Sequence, residues 1–347
     1  MFDLARLSDL ASAPFDTIID VRSPSEYAED HMPGAISLPV LSDEERARVG
    51  TIYVQDSPFK ARKIGAALVA RNAAAHIEGP LSGFDGGWKP LVYCWRGGQR
   101  SGSFASILAQ IGWRADVVKG GYQTYRRLVA RRLYDDPLPS PVILLDGNTG
   151  TAKTGVLARL ASRGVQSIDL EGLANHRGSA LGDRGGQPGQ KMFESRLAFA
   201  VEALDPARPV VIEAESSKVG RLNVPPRLFA AMKAAPRIEI SAPVTARAEY
   251  LTRAYGDLVA DGGALDDRLD LLVRLQGRER VEGWKTLARE GGHEALAAEL
   301  IELHYDPRYR KVRDRIEGEV LAVIRAETLD DAGIDAIADE VAAIAKA

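Results

Sequence analysis

Two short stretches carry residue types that can do chemistry. In LVYCWRGGQRS (Leu91–Ser101) an apolar run delivers Cys94, the single cysteine of the chain, to a segment with two glycines and two arginines. A structural cysteine needs only a small apolar niche, whereas a reactive one needs surroundings that stabilise the thiolate. Trp95, Arg96, Gly97, Gly98, Gln99, Arg100 and Ser101 form such an anion loop. Their backbone N–H groups can converge on the sulfur, and the helix predicted from SGSFASILAQIGW adds its N-terminal dipole. A lowered thiol pKa is expected, with Cys94 and Arg100 as the catalytic residues.

The second stretch is GNTGTAKT (Gly147–Thr154). It follows the phosphate-loop spacing of glycine, four residues, glycine, lysine and Ser/Thr, except that Ala152 stands at the second glycine. PVILL before it reads as a buried strand and the residues after it as an amphipathic helix. Gly147, Asn148, Thr149, Gly150, Thr151 and Ala152 would offer backbone N–H groups to a diphosphate or nucleotide. Lys153 would neutralise the terminal phosphates, and the Thr154 hydroxyl would hold Mg²⁺. Ala152 bears on the loop's conformation and affinity. Glu213 and Glu215, closing PVVIEAES, are candidates to support the metal from behind.

These motifs must be positioned by folded elements. The 347 residues are enough for two or three domains, and a hydrophobic content of 45% suits ordinary cores. Strand-like runs TIIDVRS (17–23), GAISLPV (34–40), LVYC (91–94) and ADVVKGGY (115–122) alternate with helical segments, which predicts an α/β domain with a parallel sheet over residues 1–134. DDPLPSP (135–141) has three prolines and reads as a linker. A phosphate-loop α/β domain is expected over 142–243, with further strands at 165–172, 209–216 and 237–243, and a helical C-terminal region over 244–347.

Composition narrows the function classes. One cysteine excludes an internal disulfide, and 45 basic against 48 acidic residues exclude a uniformly basic nucleic-acid coat. No apolar run approaches the roughly 18 residues of a membrane span, and the charged N-terminus is unlike a secretory leader. A cytoplasmic protein without membrane contact is the expectation.

DVRSPSEYAEDHMPGAISLPV, YCWRGGQRS and VVKGGY resemble the successive signatures of the rhodanese family, although the cysteine loop is one residue longer than usual. Cysteine, five residues, then Arg100 is also the spacing of rhodanese-like dual-specificity phosphatases. A rhodanese-like sulfurtransferase or cysteine phosphatase fused to a nucleotide-dependent kinase is therefore the rival reading, with a nonenzymatic nucleotide-regulated tRNA-binding protein third. A rhodanese-like domain followed by a phosphate-loop domain is similar to the tRNA 2-selenouridine synthase family. That likeness extends through VLSDEERARVGTIY, SPFKARKIGAALVARN, DLEGLANHRGSALG and HYDPRY.

The resemblance implies a rhodanese-like parallel sheet followed by a P-loop NTPase-like α/β domain. It also implies an enzyme that acts on the wobble 2-thiouridine of a tRNA anticodon stem-loop. Geranyl diphosphate would alkylate the sulfur, and selenium from selenophosphate would then replace the S-geranyl group by way of a selanyl-cysteine at Cys94. A selenophosphate-supplying enzyme is the implied partner, Mg²⁺ the implied ion, and no tightly bound organic cofactor is expected.

Other residues have simpler explanations beside functional ones. Asp20 and Arg22 of DVR are expected to cap or pair structurally. Arg126, Arg127, Arg131 and Arg132 lie on one helix, as a solvated face or as tRNA phosphate contacts. LEGLANHRGSALGDRGGQPGQ reads as a long polar loop, and the resemblance makes His176, Arg177 and Lys191 binding candidates. Asp306 is expected to cap a helix that begins at Pro307, leaving His304 a weak candidate.

Overall fold

The computed structural model describes residues 1–179, 181–313 and 318–347. Ala180 of the polar loop, and residues 314–317 of the expected helical C-terminal region, lie outside the described residues. The chain forms two compact units, Met1–Pro137 with Pro188–Ala203, and Leu138–Gln187 with Leu204–Ala347.

The first unit opens with β1 (Thr17–Asp20), α1 (Pro24–Glu29), β2 (Ile36–Ser37), α2 (Asp43–Gln55), α3 (Pro58–Glu78), β3 (Pro90–Tyr93), α4 (Gln99–Ile111), β4 (Asp116–Val117) and α5 (Gly121–Ala130). Its four strands run parallel in the order β2-β1-β3-β4. An all-parallel sheet buries both faces, so its inner strands read as unbroken apolar runs. All of β3 is buried accordingly. From α4, Phe104, Ala105 and Leu108 pack against Ile19, Val92 and Trp113 in the core. Helix α2 starts on a capping box, with Ser42 Oγ accepting from Glu45 N at 3.2 Å and Glu45 accepting from Ser42 N at 2.9 Å.

The second unit begins with β5 (Val142–Gly147), α6 (Lys153–Leu160), β6 (Gln166–Ile168) and α7 (Leu170–Leu173). The chain then returns to the first unit as α8 (Gln190–Glu202). This helix buries Phe193, Leu197, Ala198 and Val201. It is fixed against α5 and its extension by the Arg126–Glu194 ion pair and by Tyr134, which donates to Glu194 at 2.8 Å. The expected boundary at residue 142 follows the chain order and not the packing, because α8 packs against α5 and the turn that follows it.

The remaining elements are β7 (Val210–Glu213), a hairpin of β8 (Lys218–Val219) and β9 (Leu222–Asn223), α9 (Pro226–Ala234), β10 (Arg237–Ser241), α10 (Val244–Ala254), α11 (Gly256–Ala260), α12 (Gly262–Asp270), α13 (Val273–Gln276), α14 (Arg278–Arg289), α15 (His293–Leu300), α16 (Asp306–Arg313), β11 (Val320–Arg325) and α17 (Asp331–Lys346). Five parallel strands in the order β11-β10-β5-β7-β6 put β5 at the centre. Val156, Leu157 and Leu160 of α6 share a core with Ile334, Ile337 and Val341 of α17.

The C-terminal region is helical as expected, with one addition. VLAVIR forms β11 and extends the sheet beyond β10, which the sequence reading had made its last strand. Among the described residues no helix is long and apolar enough to cross a membrane.

Candidate active sites

Cys94 follows the last residue of β3, at the carboxyl edge of the first sheet, and α4 begins five residues later. The loop between them is held by its neighbour in space. Tyr122 donates its backbone N–H to the Cys94 carbonyl at 2.8 Å and Gln123 to the Trp95 carbonyl at 3.0 Å. That approach needs glycine: Gly97 and Gly121 both have positive φ, and a Cβ on Gly121 would lie 2.2 Å from the Cys94 oxygen. Thus VVKGGY, distant in sequence, forms the back wall of the cysteine loop.

Cys94 is 4% exposed, and its Sγ lies 3.2 Å from the Ser101 hydroxyl in the first turn of α4. Burial alone would push the thiol pKa up. The Ser101 hydroxyl, the backbone N–H groups of Ser101 and Gly98, and the Arg100 charge outweigh it, so the pKa is lowered. Arg100 is engaged rather than free. Its Nη1 lies 2.9 Å from Glu26 Oε2, and Arg46 Nε lies 3.0 Å from the same oxygen. Burial would raise the Glu26 pKa, but Arg100, the Ser23 N–H and Arg46 lower it, so two guanidiniums share one carboxylate and a net positive charge stays beside the loop. Arg96 is exposed.

Asp20 and Arg22 are structural. They form a buried ion pair at 2.6 Å, and the Arg22 guanidinium lies 4.0 Å from the Tyr122 ring centre. Of the four helix arginines, Arg126 and Arg132 pair with Glu194 and Glu202 of α8, whereas Arg127 and Arg131 are exposed. Lys191 also begins α8, paired with Glu29 at 2.6 Å, and is not part of the polar loop.

In the second unit Gly147 closes β5, and the loop to α6 leads into Lys153. Ala152 has φ 60° and ψ 24°, the left-handed conformation that glycine normally supplies, and its side chain joins the buried core. The loop therefore keeps its shape despite the alanine, at the cost of local strain. Lys153 Nζ donates to the Gly147 carbonyl at 2.7 Å. Burial pulls its pKa down, but Tyr309, Glu171, Glu215 and Asp146 raise it overall, so the ammonium stays charged.

The Thr154 hydroxyl donates to Glu171 Oε2 at 2.9 Å, and Glu171 N donates to Glu213 Oε1 at 2.6 Å. Burial, and then the neighbouring Glu171, push the Glu215 pKa well above the usual carboxylate range. Burial, then Asp169 and Glu171, also raise the Glu213 pKa. Among the described residues no three His, Cys, Asp or Glu side chains are grouped to hold a metal by themselves. One hydroxyl and one or two carboxylates suit Mg²⁺, which keeps waters and takes substrate phosphate oxygens as its other ligands.

The loop opens into a cavity of about 890 Å³. Lys153, Arg177, Arg184 and Arg308 line its polar side, while Phe229, Met232, Leu251, Ala254 and Tyr255 line an apolar wall. Arg177 pairs with Asp257 at 2.6 Å and lies over the Tyr255 ring, yet its Nε and Nη1 are buried without a hydrogen-bond partner. Two unpaired donors on a buried guanidinium are costly unless an anion meets them. His176 is different: it is buried, and its Nδ1 accepts from Gly178 N at 3.0 Å, which makes it a loop brace.

Sequence reasoning missed Glu171, Arg247 and Tyr309. Arg247 donates to the Thr149 carbonyl at 2.7 Å and to Asp306 Oδ1 at 2.6 Å, and Asn148 donates to the same Asp306 oxygen at 3.1 Å. Asp306 is therefore not the expected helix cap. The π-helical turn Ile301–Tyr305 runs straight into α16, and the carboxylate instead clamps the phosphate loop through Arg247. Only the capping Asp169 of DLEG, whose side chain accepts from Gly172 N at 2.7 Å, signalled a helix start near Glu171.

Comparison with known proteins identifies two domains along the chain. Residues 3–128 match the rhodanese-like domain, and residues 140–264 match the tRNA 2-selenouridine synthase AAA domain. The tRNA 2-selenouridine synthase of Alcanivorax borkumensis is 32% identical over 337 residues, covering 88% of this chain and 91% of that protein. This chain belongs to the tRNA 2-selenouridine synthase family. The synthase of Marinobacter nauticus is 32% identical over 342 residues, 88% of this chain and 90% of that one. That of Pseudomonas syringae pv. tomato is 31% identical over 331 residues, 86% and 88%. In this member of the synthase family, Cys94 lies inside the rhodanese-like match and Gly147–Thr154 inside the AAA match.

Proposed function

We propose that this chain is a tRNA 2-selenouridine synthase that works in two steps on the wobble 2-thiouridine of an anticodon stem-loop. In the first, the thiouridine sulfur attacks C1 of geranyl diphosphate. The C–S bond forms, the C1–O bond breaks, diphosphate leaves with the electron pair, and the uracil N3 proton is lost to solvent. The observation that carries this reading is the cavity lined both by the cations Lys153, Arg177 and Arg184 and by the apolar side chains of Phe229, Met232 and Leu251. A diphosphate with a ten-carbon chain uses both kinds of lining. Lys153 and Arg177 hold the diphosphate, and the phosphate-loop amides accommodate its departing charge. Thr154 and Glu171, with Glu215 beside them, would hold Mg²⁺, which supplies further charge stabilisation to a leaving diphosphate.

In the second step selenium replaces the S-geranyl group, which leaves as geranylthiol. Through Cys94 the overall exchange balances as S-geranyl-2-thiouridine, selenophosphate and two thiols, Cys94 one of them, giving 2-selenouridine, geranylthiol, phosphite and a disulfide. Cys94 carries the selenium as selanyl-cysteine, its charge stabilised by the loop amides and Ser101. Selenium drawn from selenophosphate onto the thiolate leaves its bonding electrons on phosphorus, so this half-reaction releases phosphite. A second thiol returns two electrons when the S–Se bond opens and is oxidised to a disulfide. A selenophosphate-supplying enzyme is the partner this step requires.

Nucleoside mass spectrometry of 2-thiouridine tRNA incubated with the protein, geranyl diphosphate, selenophosphate and a thiol tests the proposal. The S-geranyl nucleoside followed by 2-selenouridine supports it. No modified nucleoside, with ATP or GTP turned over in the absence of tRNA, favours the fused-kinase reading instead.

A further inference from the structure

The first unit has a concavity of its own that, apart from Gln99 and Arg100, the chemistry above does not use. Helices α2, α3 and the first turn of α4 enclose a cleft of about 590 Å³. Its floor is apolar, with Leu41, Val49 and Val69, and Gly65 leaves room where a side chain would stand. Arg46, Arg62 and Arg100 line it as well, the first and last held by Glu26, and Tyr53 lines it while 55% exposed. No residue of α2 is buried, and the adjoining hairpin tip exposes Val54 and Phe59. Val49 of α2 packs against the core, while Tyr53 and Val54 near its end stay exposed and are free for another surface.

We infer that this cleft binds the S-alkylated wobble nucleotide, with the alkyl chain on the apolar floor, the base against Tyr53, and the flanking phosphates on the arginines. Unpaired RNA bases are held by aromatic rings and guanidinium planes, and phosphates by arginine charge. The volume falls in the range of about 300–1,000 Å³ that holds ligands of such size. Gln99, Arg100 and Ser103 of the cleft belong to the same turn of α4 as Ser101, the residue that contacts the Cys94 sulfur. A nucleotide seated there lies beside the cysteine loop. The inference rests on the proposed function for its premise that an S-geranyl uridine is the selenation substrate. It adds a site at which that substrate is told apart from its unalkylated precursor.

The test uses fluorescent anticodon stem-loops carrying either 2-thiouridine or S-geranyl-2-thiouridine, with anisotropy titrations of the full chain. Wild type is expected to bind the alkylated RNA about tenfold more tightly, corresponding to about 1.4 kcal/mol. Gly65→Leu fills the cleft from a helical position where an added Cβ meets only Val49, at 3.6 Å, an ordinary van der Waals distance. That variant should lose the preference while binding the 2-thiouridine RNA as wild type does. Tyr53→Ala, at an exposed residue, should weaken binding of the alkylated RNA. Unchanged melting temperature and unchanged Cys94 reactivity toward iodoacetamide certify each fold.

A preference that persists in both variants, or is absent in wild type, overturns the inference. Selenium incorporation by wild type into the same RNA separates the two claims. Incorporation with a cleft-independent preference sinks the site and spares the function. A cleft-dependent preference without incorporation does the reverse.

Discussion

The backbone N–H of Tyr122 donates to the Cys94 carbonyl at 2.8 Å, so the cysteine loop takes its shape from the glycine pair at the start of α5. Gly121 permits this contact by combining φ 57° with the absence of a Cβ. Gly121→Ala should lower the melting temperature and move the Cys94 pKa toward that of an ordinary thiol. Thermal melts and the pH dependence of alkylation check both outcomes. An unchanged thiol pKa would mean that the back wall does not shape the loop.

The thiol itself gives the second prediction. Burial opposes ionisation and the Ser101 hydroxyl favours it, with a net lowering. Iodoacetamide reactivity should therefore rise with pH around a midpoint below the free-thiol value of about 8.5. Ser101→Ala removes the nearest donor and should shift that midpoint upward, with a smaller upward shift for Arg100→Ala because Arg100 is already shared with Glu26. A wild-type midpoint at or above the free-thiol value contradicts the argument.

Cys94→Ser should abolish selenium incorporation and leave S-geranylation intact, since a hydroxyl cannot carry selenium but need not disturb the other unit. In wild type, ³¹P spectra of a single turnover should show phosphite if selenium passes through selanyl-cysteine. Phosphate alone would assign the attack on C2 to selenophosphate directly and remove the carrier role.

Both chemical loops were legible because each is contiguous. Cys94 to Ser101 and Gly147 to Thr154 carry strand, glycines, charged residue and helix start within one short span, so local physics places them together. The clamp on the phosphate loop was not legible. Arg247 lies 98 residues from Thr149, and Asp306 lies 158 residues from Asn148. Nothing local to DPRY separates an ion-pairing aspartate from a helix cap. VLAVIR is a five-residue apolar run closed by an arginine, a length at which periodicity does not separate a strand from a helical segment. The return of α8 to the first unit was hidden likewise, because an amphipathic stripe shows that a helix packs without showing on which core.

Ala152 supplies a fourth prediction. Its left-handed conformation costs an alanine about 1 kcal/mol relative to glycine. The buried methyl recovers about 0.8 kcal/mol. Ala152→Gly should therefore leave stability nearly unchanged and preserve or improve affinity for geranyl diphosphate. Ala152→Val, β-branched in the same conformation, should destabilise the unit. Melts and calorimetric titration decide, and a substantial loss of affinity in the glycine variant would show that the methyl, not the backbone, shapes the loop.

The central claim is that alkylation belongs to the phosphate-loop cavity and selenation to the Cys94 loop. Lys153→Ala tests it most directly, in single-turnover nucleoside mass spectrometry with 2-thiouridine tRNA and, separately, with tRNA already S-geranylated. The account predicts that the variant fails to alkylate the first but converts the second to 2-selenouridine at the wild-type rate. Normal alkylation of the first, with failure only on the second, would contradict it and assign the phosphate loop to the selenium step.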